Sequence, residues 1–459
     1  MQKIAFRQRN NKILSIAPTR IIVLSFAVLI LAGALLLSLP GASRDGRSIG
    51  LLNALFTATS ASCVTGLVVV DTYNHWTLMG QLVILALIQA GGLGIVTLAS
   101  FFSVLLGRKM SLKGMVLAQE SINHFSFEGI RRLVKYIIVF TLGAEFLGAL
   151  LLSLSFVPEF GAKGIYLGFF HSISAFCNAG FDLMSIHGKG EFASLLDYNN
   201  NPLVLYTIAF LIVTGGLGFF VWKDLFDLPK NRSLFLHTKV VLVITSILIV
   251  SGAILFYIFE SGNPATMGQL NLFGKINAAL FHSITPRTAG YNSLPIDDMK
   301  EISKFTTIIL MFIGAAPGST AGGIKVTTFG IILFAVISQI RGSSETIIFK
   351  RRVAPIIVVK AMAIAILSIA VVFIVTTIIL AVERKPFLDV LYETASAFGT
   401  VGLSTGITPS LHPVSKLLLI LTMFLGRVGP VTFAIALSLR ANSKKETSAT
   451  YPEGKIVVG

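Results

Sequence analysis

Four glycines recur along this sequence in the same short phrase, and the chemistry they offer is that of the peptide carbonyl. The phrases are TATSASCVTGL, HSISAFCNAGF, HSITPRTAGY and ETASAFGTVGL, ending at or next to Gly66, Gly180, Gly290 and Gly402. These glycines lie 114, 110 and 112 residues apart. Glycine permits backbone conformations and close approaches that other residues resist, and rings of carbonyl oxygens can replace the water shell of a monovalent cation. The repeated phrase therefore predicts a cation site built from backbone oxygen.

The predicted site takes the same three positions from each phrase. They are Val64, Thr65, Gly66, Asn178, Ala179, Gly180, Thr288, Ala289, Gly290, Thr400, Val401 and Gly402. No acidic side chain falls within 64–67, 178–181, 288–291 or 400–403. Because a divalent site would bring carboxylates, a large, weakly hydrated monovalent cation is favoured. The alternative is that these glycines only pack helices together, since small residues are common at helix contacts in membranes.

The phrases sit at equivalent places in a larger repeat. Each follows a helix-like segment of about a dozen residues, which is too short to cross a bilayer, and is flanked by longer apolar runs. The runs that come first are Ile21–Leu39, Leu133–Val157, Val240–Phe259 and Ile356–Val382, and those that come second are Leu78–Leu106, Pro202–Trp222, Phe305–Ile340 and Leu417–Leu439. Each short segment must enter the membrane and return, which is tolerated where the backbone is buried in protein or lines a cavity.

This pattern predicts an all-α polytopic membrane protein with eight transmembrane helices and four re-entrant half-helices around one pore. The repeats are placed at 21–106, 107–222, 223–340 and 341–440, between cytoplasmic tails at 1–20 and 441–459. The first apolar run follows a basic segment and could instead be a signal peptide, but the first repeat needs this helix.

Composition and charge agree with a membrane location. The chain is 54% hydrophobic and 13% charged, with a net charge of +16. Of its 37 basic residues, 24 fall in 1–20, 107–135, 222–239, 341–360 and 440–459, which share one side of the predicted topology. By the positive-inside rule that side is cytoplasmic, so both termini lie inside, the protein belongs to the plasma membrane, and the positive charge does not indicate a nucleic-acid partner.

Patterns typical of enzymes are missing from the sequence. It holds no Gly-rich phosphate loop, no HExxH and no convincing Ser-His-Asp pattern, so we expect neither an enzyme nor a cofactor in this chain. GGLG at Gly91–Gly94 and Gly215–Gly218 follows no strand and indicates close helix contact. His171, His282 and Glu393 occupy the position of Thr57 near the starts of half-helices, and a metal site from them is the minor alternative. Cys63 and Cys177 are expected to be packing residues.

The second apolar run of the third repeat is interrupted. It reads FIGAAPGSTAGGIKVTTF and holds four glycines, a proline and two hydroxyl residues between Gly314 and Gly323. Proline and glycine are unfavourable in a helix interior, so an unwound segment is predicted. The corresponding runs of the first and fourth repeats hold fewer such residues, and a break in one helix of four would remove the symmetry beneath the cation site. A kinked helix with only a packing role is the alternative.

Arg427, in FLGRVGP, places a charge inside the last apolar run. Such a charge is costly and is a functional candidate by default. Facing the pore, it would oppose cations and could hydrogen-bond the unwound segment. The alternative is a structural pair with Glu145 or Glu393.

Together these motifs resemble the Trk/Ktr/HKT superfamily of potassium transporters, and most closely its KtrB-type membrane subunits. The resemblance covers the whole chain, from LLNALFTATSASCVTGL to TYPEGKIVVG. It implies sodium-dependent potassium uptake through a simplified filter with one glycine per repeat, and an intramembrane gate beneath it. The residues that match the gate are Gly314, Ala315, Ala316, Pro317, Gly318, Ser319, Thr320, Ala321, Gly322, Gly323, Lys325 and Arg427.

The same resemblance implies partners that the sequence itself does not contain. These are a second copy of the chain, with the C-terminal tail helping to form the homodimer, and a separate cytosolic ring of KtrA-type subunits that binds ATP or ADP. Basic cytoplasmic loops such as FKRR at Phe349–Arg352 could contact that ring or anionic membrane lipid. Charge alone does not choose between the two.

Two other functions compete with a cation pore. A secondary transporter with alternating access also uses broken helices, but such folds usually show a twofold repeat, whereas this sequence shows four copies. A polytopic membrane enzyme should carry acid–base or metal-ligand clusters in its loops, and none is visible in the sequence.

Overall fold

The computed structural model describes residues 18–94, 130–188, 190–343 and 345–430, and its regular structure is almost entirely helical. In chain order the elements are α1 (Pro18–Leu37), α2 (Leu51–Ser62), α3 (Thr72–His75), α4 (Leu78–Leu93), α5 (Ile130–Phe160), α6 (Lys163–Phe176), α7 (Pro202–Gly216), α8 (Phe219–Asn231), α9 (Leu236–Glu260), α10 (Leu272–Ile284), α11 (Glu301–Phe312), α12 (Val326–Ile340), β1 (Ile347–Ile348), β2 (Arg351–Arg352), α13 (Pro355–Val382), α14 (Phe387–Gly399) and α15 (Pro413–Val428). Strands β1 and β2 form one small antiparallel hairpin.

Four helices of the described part are long and apolar enough to cross a bilayer. They are Arg20–Leu37 in α1, Leu133–Phe160 in α5, Leu236–Glu260 in α9 and Pro355–Val382 in α13. Each overlaps one of the first apolar runs of the sequence. Only 22 to 39% of each apolar window is buried within the protein, so most of its side chains face outward, where lipid would surround them. The predicted cytoplasmic tail at 441–459, and residues 1–17 of the other, lie outside the described residues.

A short helix follows each long one. α2, α6, α10 and α14 have 12, 14, 13 and 13 residues, as expected for half-helices. They lie at the centre of the protein, where one phenylalanine from each is at most 2% exposed: Phe56, Phe170, Phe281 and Phe398. A helix that is buried on nearly every face and too short to span must be held by its neighbours.

The helices that come after the half-helices are shorter than the sequence predicts, and one prediction is wrong. α7 does not continue to Trp222: it stops at Gly216, and the chain turns by 92° into α8. α4 and α15 end likewise, directly before Gly94 and Gly429. Gly94, Gly218 and Gly429 have φ of +80°, +88° and +90°, a conformation that interrupts a helix and that glycine adopts without strain.

The interruption is therefore not confined to the third repeat, contrary to the expectation from composition. What distinguishes the third repeat from the second is the length of its break. α11 ends at Phe312 and α12 begins at Val326, and the intervening loop includes the whole predicted unwound segment. If α7 and α8 are counted as one bent span, the described residues hold five candidate spans. The expected total of eight remains a prediction.

The units are packed in a closed order. α4 packs against α6, α7 against α10, α11 against α14, and α15 returns to α2. We call α4, α7, α11 and α15, which follow the half-helices, the second helices of their units. Each of them thus contacts the half-helix of the following unit, and the fourth unit packs against the first. Such an arrangement places the C-terminal ends of all four half-helices around one centre.

Candidate functional site

The backbone takes the same unusual path after each half-helix. The second residue before the glycine has a left-handed φ in every copy, and the glycine itself also has a positive φ. The first set is Val64, Asn178, Thr288 and Thr400, with φ between +50° and +68°, and the glycines range from +68° to +94°. A non-glycine residue with positive φ costs about 1–3 kcal/mol and marks a functional constraint. Four copies of this strained path indicate that carbonyl direction is what the loops maintain.

The four glycines meet in a closed ring. A Cβ placed on Gly66 would lie 2.5 Å from the carbonyl oxygen of Ala179, and one on Gly180 would lie 2.7 Å from that of Ala289. The pattern continues, with Gly290 facing the carbonyl oxygen of Val401 and Gly402 facing that of Thr65. No side chain fits at any of the four positions, so the ring requires glycine. All twelve residues predicted for the cation site lie in these converging loops.

Hydroxyl groups of the half-helices hold the loops in two ways. Ser60 and Ser396 accept hydrogen bonds of 3.0 Å from the backbone N–H groups of Gly66 and Gly402. Ser174 and Thr285, at the corresponding places, instead donate to the carbonyl oxygens of the residues after the glycine, Phe181 at 2.8 Å and Tyr291 at 2.6 Å. Each hydroxyl therefore fixes one peptide group next to its glycine.

The polar side chains at the position of Thr57 brace the chain beyond the ring. His171 accepts a hydrogen bond of 3.2 Å from the backbone N–H of Leu183, and Glu393 accepts one of 3.1 Å from that of Thr405. In both copies the donor is the third residue after the glycine. His282 contacts Thr307 at 3.2 Å instead. These side chains are used to hold backbone, and no group of three or more potential metal ligands occurs in the part of the chain that the structure describes.

A cavity of about 140 Å³ opens on one side of the ring, and all four glycines line it. Two carboxylates, Asp71 and Asp182, also line it, together with Asn292 and Ser404. This volume accommodates several water molecules. The loops that contain these residues connect the half-helices to the second helices, so the cavity forms a vestibule at the side from which the half-helices enter.

The loop between α11 and α12 lies on the opposite side of the ring and contacts its members directly. Thr320 donates from its hydroxyl to the carbonyl oxygen of Phe176, at the end of α6, over 3.0 Å. At Gly322 a Cβ would lie 3.1 Å from the Cβ of Thr400, inside the filter phrase of the fourth unit. The N–H of Gly323 donates to the carbonyl oxygen of Gly426 over 3.2 Å. The loop is thus held against half-helix ends from two units.

Backbone hydrogen bonds also tie this loop to the break in α7. The N–H of Ala316 donates to the carbonyl oxygen of Gly216 over 2.9 Å, and the N–H of Phe219 donates to that of Gly318 over 3.0 Å. Lys325 closes the loop from within, because its Nζ donates to the carbonyl oxygens of Ala321 at 2.8 Å and Gly322 at 3.2 Å. The long loop of the third unit is therefore hydrogen-bonded to the short break between α7 and α8 in the second unit.

Arg427 bridges three units beneath the ring. Its guanidinium donates to the carbonyl oxygen of Thr320 in the loop, and to those of Gly91 and Gly92 at the end of α4. Neither acid proposed as its structural partner is in contact with it: Glu145 accepts from Gln89 at 3.2 Å, and Glu393 is held by the loop that follows its own half-helix. The predicted hydrogen bond between Arg427 and the unwound segment is confirmed.

This fold and these motifs match a known family over most of the sequence. Residues 2–448 match the TrkH family, described as cation transport protein. The chain belongs to this family. A TrkH potassium transporter from Vibrio parahaemolyticus has the same fold, with a TM-score of 0.72 and 18% identity over 95% of this chain and 87% of that one.

Curated relatives at higher identity include two that are named for a Ktr system. "Ktr system potassium uptake protein B" of Bacillus subtilis is 42% identical over 96% of this chain and 97% of its own length. The protein of the same name from Vibrio alginolyticus is 41% identical, and "Potassium/sodium uptake protein NtpJ" of Enterococcus hirae is 38% identical over 97% of this chain and 98% of its own length. The chain is thus a membrane cation transporter of the KtrB type.

Sequence reasoning missed the two carboxylates of the vestibule in this TrkH-family chain. Asp182 is the second residue after Gly180, one position outside the window that was searched for acids. Asp71 lies five residues after Gly66 and accepts from the hydroxyl of Ser185 at 2.5 Å and from the N–H of Phe192 at 2.8 Å, which ties the loops of two units together. A search for acids just beyond each glycine would have found both.

The GGLG motifs are explained by contact with the half-helices. A Cβ on Gly91 would collide with the carbonyl oxygen of Ser62, and one on Gly215 would collide with that of Phe176. Gly426, in the fourth unit, meets the carbonyl oxygen of Phe398 in the same way. The prediction of close helix contact is therefore confirmed, and the contact is with the very end of a half-helix.

Proposed function

We propose that this chain is the pore-forming subunit of a Ktr-type potassium uptake system in the plasma membrane. The observation that carries the proposal is the closed ring of four glycines. Oxygen atoms from four loops at one level can replace the hydration shell of a cation, and the loops contribute no carboxylate at that level. Within the described residues, the buried hydroxyls of Thr65, Thr288 and Thr400 have no hydrogen-bond partner, which leaves further oxygen atoms for an ion or its water.

The vestibule and the ring suggest a direction for the ion. Asp71 gives the vestibule a negative charge that raises the local cation concentration, and the ring follows directly behind. The positive-inside distribution of basic residues supports a vestibule outside the cell and both termini inside. Cysteine introduced at Asp297, which is exposed, should react with an impermeant reagent in intact cells, whereas cysteine at Ser343 should not. The reverse labelling would overturn the orientation.

The loop between α11 and α12 would then act as the gate. It lies in the path of an ion that has passed the ring, and Arg427 adds a positive charge at that level. Loop and arginine are joined by hydrogen bonds to backbone carbonyls rather than by a buried salt bridge, and such bonds can be exchanged for water when the loop moves. The position of the loop and its contact with Arg427 support this gating role.

The remaining parts of the proposal rest on the relatives. The names of the Bacillus and Vibrio relatives place them in a Ktr system, which supports a multi-subunit assembly. We propose a homodimer served by a cytosolic KtrA-type ring that binds ATP or ADP. The Enterococcus relative is named for potassium and sodium, which supports sodium-dependent uptake here. Membrane lipid surrounds the pore subunit in this arrangement.

Tracer flux into vesicles that contain the purified protein tests the central proposal. The wild type should take up K⁺ or Rb⁺ in preference to Na⁺, and Gly290→Ser should reduce both the flux and the preference. Gly143→Ser is the matched control, because a Cβ on Gly143 meets nothing within 4 Å. Unchanged flux and ion preference in Gly290→Ser, at equal amounts of folded protein, would overturn the filter assignment.

A further inference from the structure

Each second helix is joined to the next half-helix by one polar side-chain contact near the start of both helices. Tyr166 on α6 donates to Gln81 on α4 at 3.0 Å, and Tyr206 on α7 donates to Asn277 on α10 at 2.5 Å. We call these contacts, with the two that follow, the inter-unit clamps. They differ in chemistry from pair to pair, but they join elements in the same order as the units.

The other two clamps involve lysine. Lys304 on α11 lies 3.6 Å from the carboxylate of Asp389 on α14. Lys416 on α15 donates to Asn53 on α2 at 3.3 Å, which closes the circle. The half-helix members lie 13, 14, 13 and 13 residues before their glycines: Asn53, Tyr166, Asn277 and Asp389. One polar contact within one residue of the same position in all four units is a specific feature, since the side chains themselves are not alike.

Each clamp lies at the end of a half-helix that is opposite the ring. A half-helix of about 13 residues is roughly 20 Å long, with its clamp at the rim and its carbonyl end at the ring. Because it behaves as a rigid rod between these points, displacement of the rim end tilts the helix and moves the oxygens at the other end. Functional oxygens must be held within about 0.5 Å. Apolar packing against neighbouring helices is non-directional, whereas a hydrogen bond has a preferred length and angle.

Burial makes the clamps costly to break. Gln81 is 3% exposed and Asn277 is 1% exposed, and Lys304 and Lys416 are also buried. A buried polar group that loses its partner is penalised by its full desolvation cost. The rim of each half-helix is therefore held by the neighbouring unit and not only by its own chain.

We propose that the inter-unit clamps are positioning contacts that set the tilt of the half-helices and thereby the cation preference of the ring. This inference rests on the proposed function, because it assigns the clamps to the same filter. Tyr166→Phe and Tyr206→Phe each delete one oxygen and keep the ring of the side chain, so they remove a clamp with little change in packing.

The experiment measures how strongly K⁺, Rb⁺, Na⁺ and Cs⁺ each raise the unfolding temperature of the purified full chain, since a bound ion stabilises the folded state. The ratio of apparent affinities for K⁺ and Na⁺ should fall about three- to tenfold in Tyr166→Phe/Tyr206→Phe, the change expected for lost hydrogen bonds. Tyr136→Phe is the control, because the Tyr136 hydroxyl has no hydrogen-bond partner in the described part of the chain. The two single variants serve if the double variant does not fold.

The lysine clamp adds a rescue test. Lys416→Met should shift the ion ranking, and Lys416→Arg, which can still donate to Asn53, should restore it. A ranking that stays at its wild-type order and spacing in all of these variants, even with a lower unfolding temperature, overturns the proposal and leaves the clamps a structural role. A wild type that ranks Na⁺ above K⁺ overturns the proposed potassium function instead, while the clamps are still judged by whether that ranking shifts.

Discussion

At the ends of α2, α6, α10 and α14 one backbone geometry occurs four times, whereas the ends of α4, α7, α11 and α15 divide three to one. After every half-helix comes a left-handed residue and then, two positions on, a glycine with positive φ. After the second helices, Gly94, Gly218 and Gly429 have positive φ directly after the last helical turn or within two residues of it, and the third unit has the long loop between Phe312 and Val326 in their place.

The difference corresponds to what each region has to do. In the proposed function an ion at the ring contacts all four loops at once, so each loop must present its oxygen in the same way. Below the ring the requirement is only that the path can be obstructed, and one unit is sufficient for that. In the proposed function the symmetric region therefore determines which ion binds, and the asymmetric region controls whether it passes.

The largest effect should come from adding a side chain to a glycine of a second helix that packs directly against the end of a half-helix. Gly215→Ala places a Cβ against the carbonyl oxygen of Phe176, whereas Gly216→Ala meets its nearest atoms at 3.4 Å. Overpacking of this kind costs about 1–3 kcal/mol, so Gly215→Ala should lower the unfolding temperature and the yield of folded protein. Gly216→Ala, the adjacent control, should be neutral or slightly stabilising, because alanine favours helix over glycine. Equal behaviour of the two variants would contradict the contact.

The next effect concerns the gate. Arg427→Gln removes a positive charge and the bridge between the loop and α4, and shortening 314–323 removes the loop itself. If the barrier falls by about 1.4 kcal/mol, flux should rise about tenfold, while the ratio of K⁺ to Na⁺ flux stays near its wild-type value. Tracer flux in vesicles, normalised to folded protein, measures both quantities.

Lys360→Gln is the matched control for the gate variants, because Lys360 is an exposed basic residue on α13 and its charge lies away from the ring. Its flux should equal that of the wild type. A fall of flux per folded protein in every loop and arginine variant would contradict a gating role.

A smaller effect on K⁺ affinity is expected from the hydroxyls that hold the filter loops, and it should differ between half-helices. Ser60→Ala leaves the N–H of Gly66 without its hydroxyl partner, which costs about 1–3 kcal/mol for a buried group. Ser174→Ala removes a donor from the carbonyl oxygen of Phe181, but that oxygen also accepts from the Tyr291 hydroxyl at 3.1 Å. Apparent K⁺ affinity should therefore fall about fivefold in Ser60→Ala and change less in Ser174→Ala. The opposite order, measured by K⁺-dependent thermal stabilisation, would show that the two hydroxyls are used differently from the contacts described.

Much of the symmetric region could be predicted from the sequence. The four long helices, the half-helices and the convergence on Gly66, Gly180, Gly290 and Gly402 follow from apolar run length and from the spacing of one repeated phrase. These signals are local and periodic, so they survive without a structure. The glycine-rich composition between Gly314 and Gly323 likewise predicted the loop.

Contacts between units could not be predicted in the same way. The break at Gly218 follows from its positive φ, but an isolated glycine in an apolar run is compatible with a continuous helix. The clamps join side chains far apart in the sequence and of different types, such as Lys416 and Asn53, and only the closed packing order brings them together. Arg427 was singled out because a membrane charge is rare, yet its partners are backbone carbonyls, which have no signature in sequence.

The smallest effect should lie in the outer loops, where the units resemble one another least. His75 ends α3, with its ring nitrogen Nε2 3.2 Å from the Ser43 hydroxyl and its ring against Trp76. Partial burial lowers the pKa of His75 below its ordinary value, and the nearby Asp45 opposes this shift. Because the folded pKa lies below the unfolded one, the fold favours the neutral ring, and this contribution is present above about pH 6.5 and lost as the pH falls through the folded pKa.

His75→Gln should therefore reduce the loss of unfolding temperature between pH 7 and pH 5, by a small amount because the ring is only partly buried. Since His75 lies outside the ring and touches no half-helix residue that holds a glycine, the same variant should leave the ranking of alkali cations unchanged at both pH values. Thermal unfolding with K⁺ or Na⁺ at each pH measures both effects in one series. A change in ion ranking would mean that the outer loop of the first unit is coupled to the filter. The region that controls ion preference would then extend beyond the half-helices. An unchanged ranking with an unchanged pH dependence would show that His75 gains its stability from Ser43 and Trp76 alone.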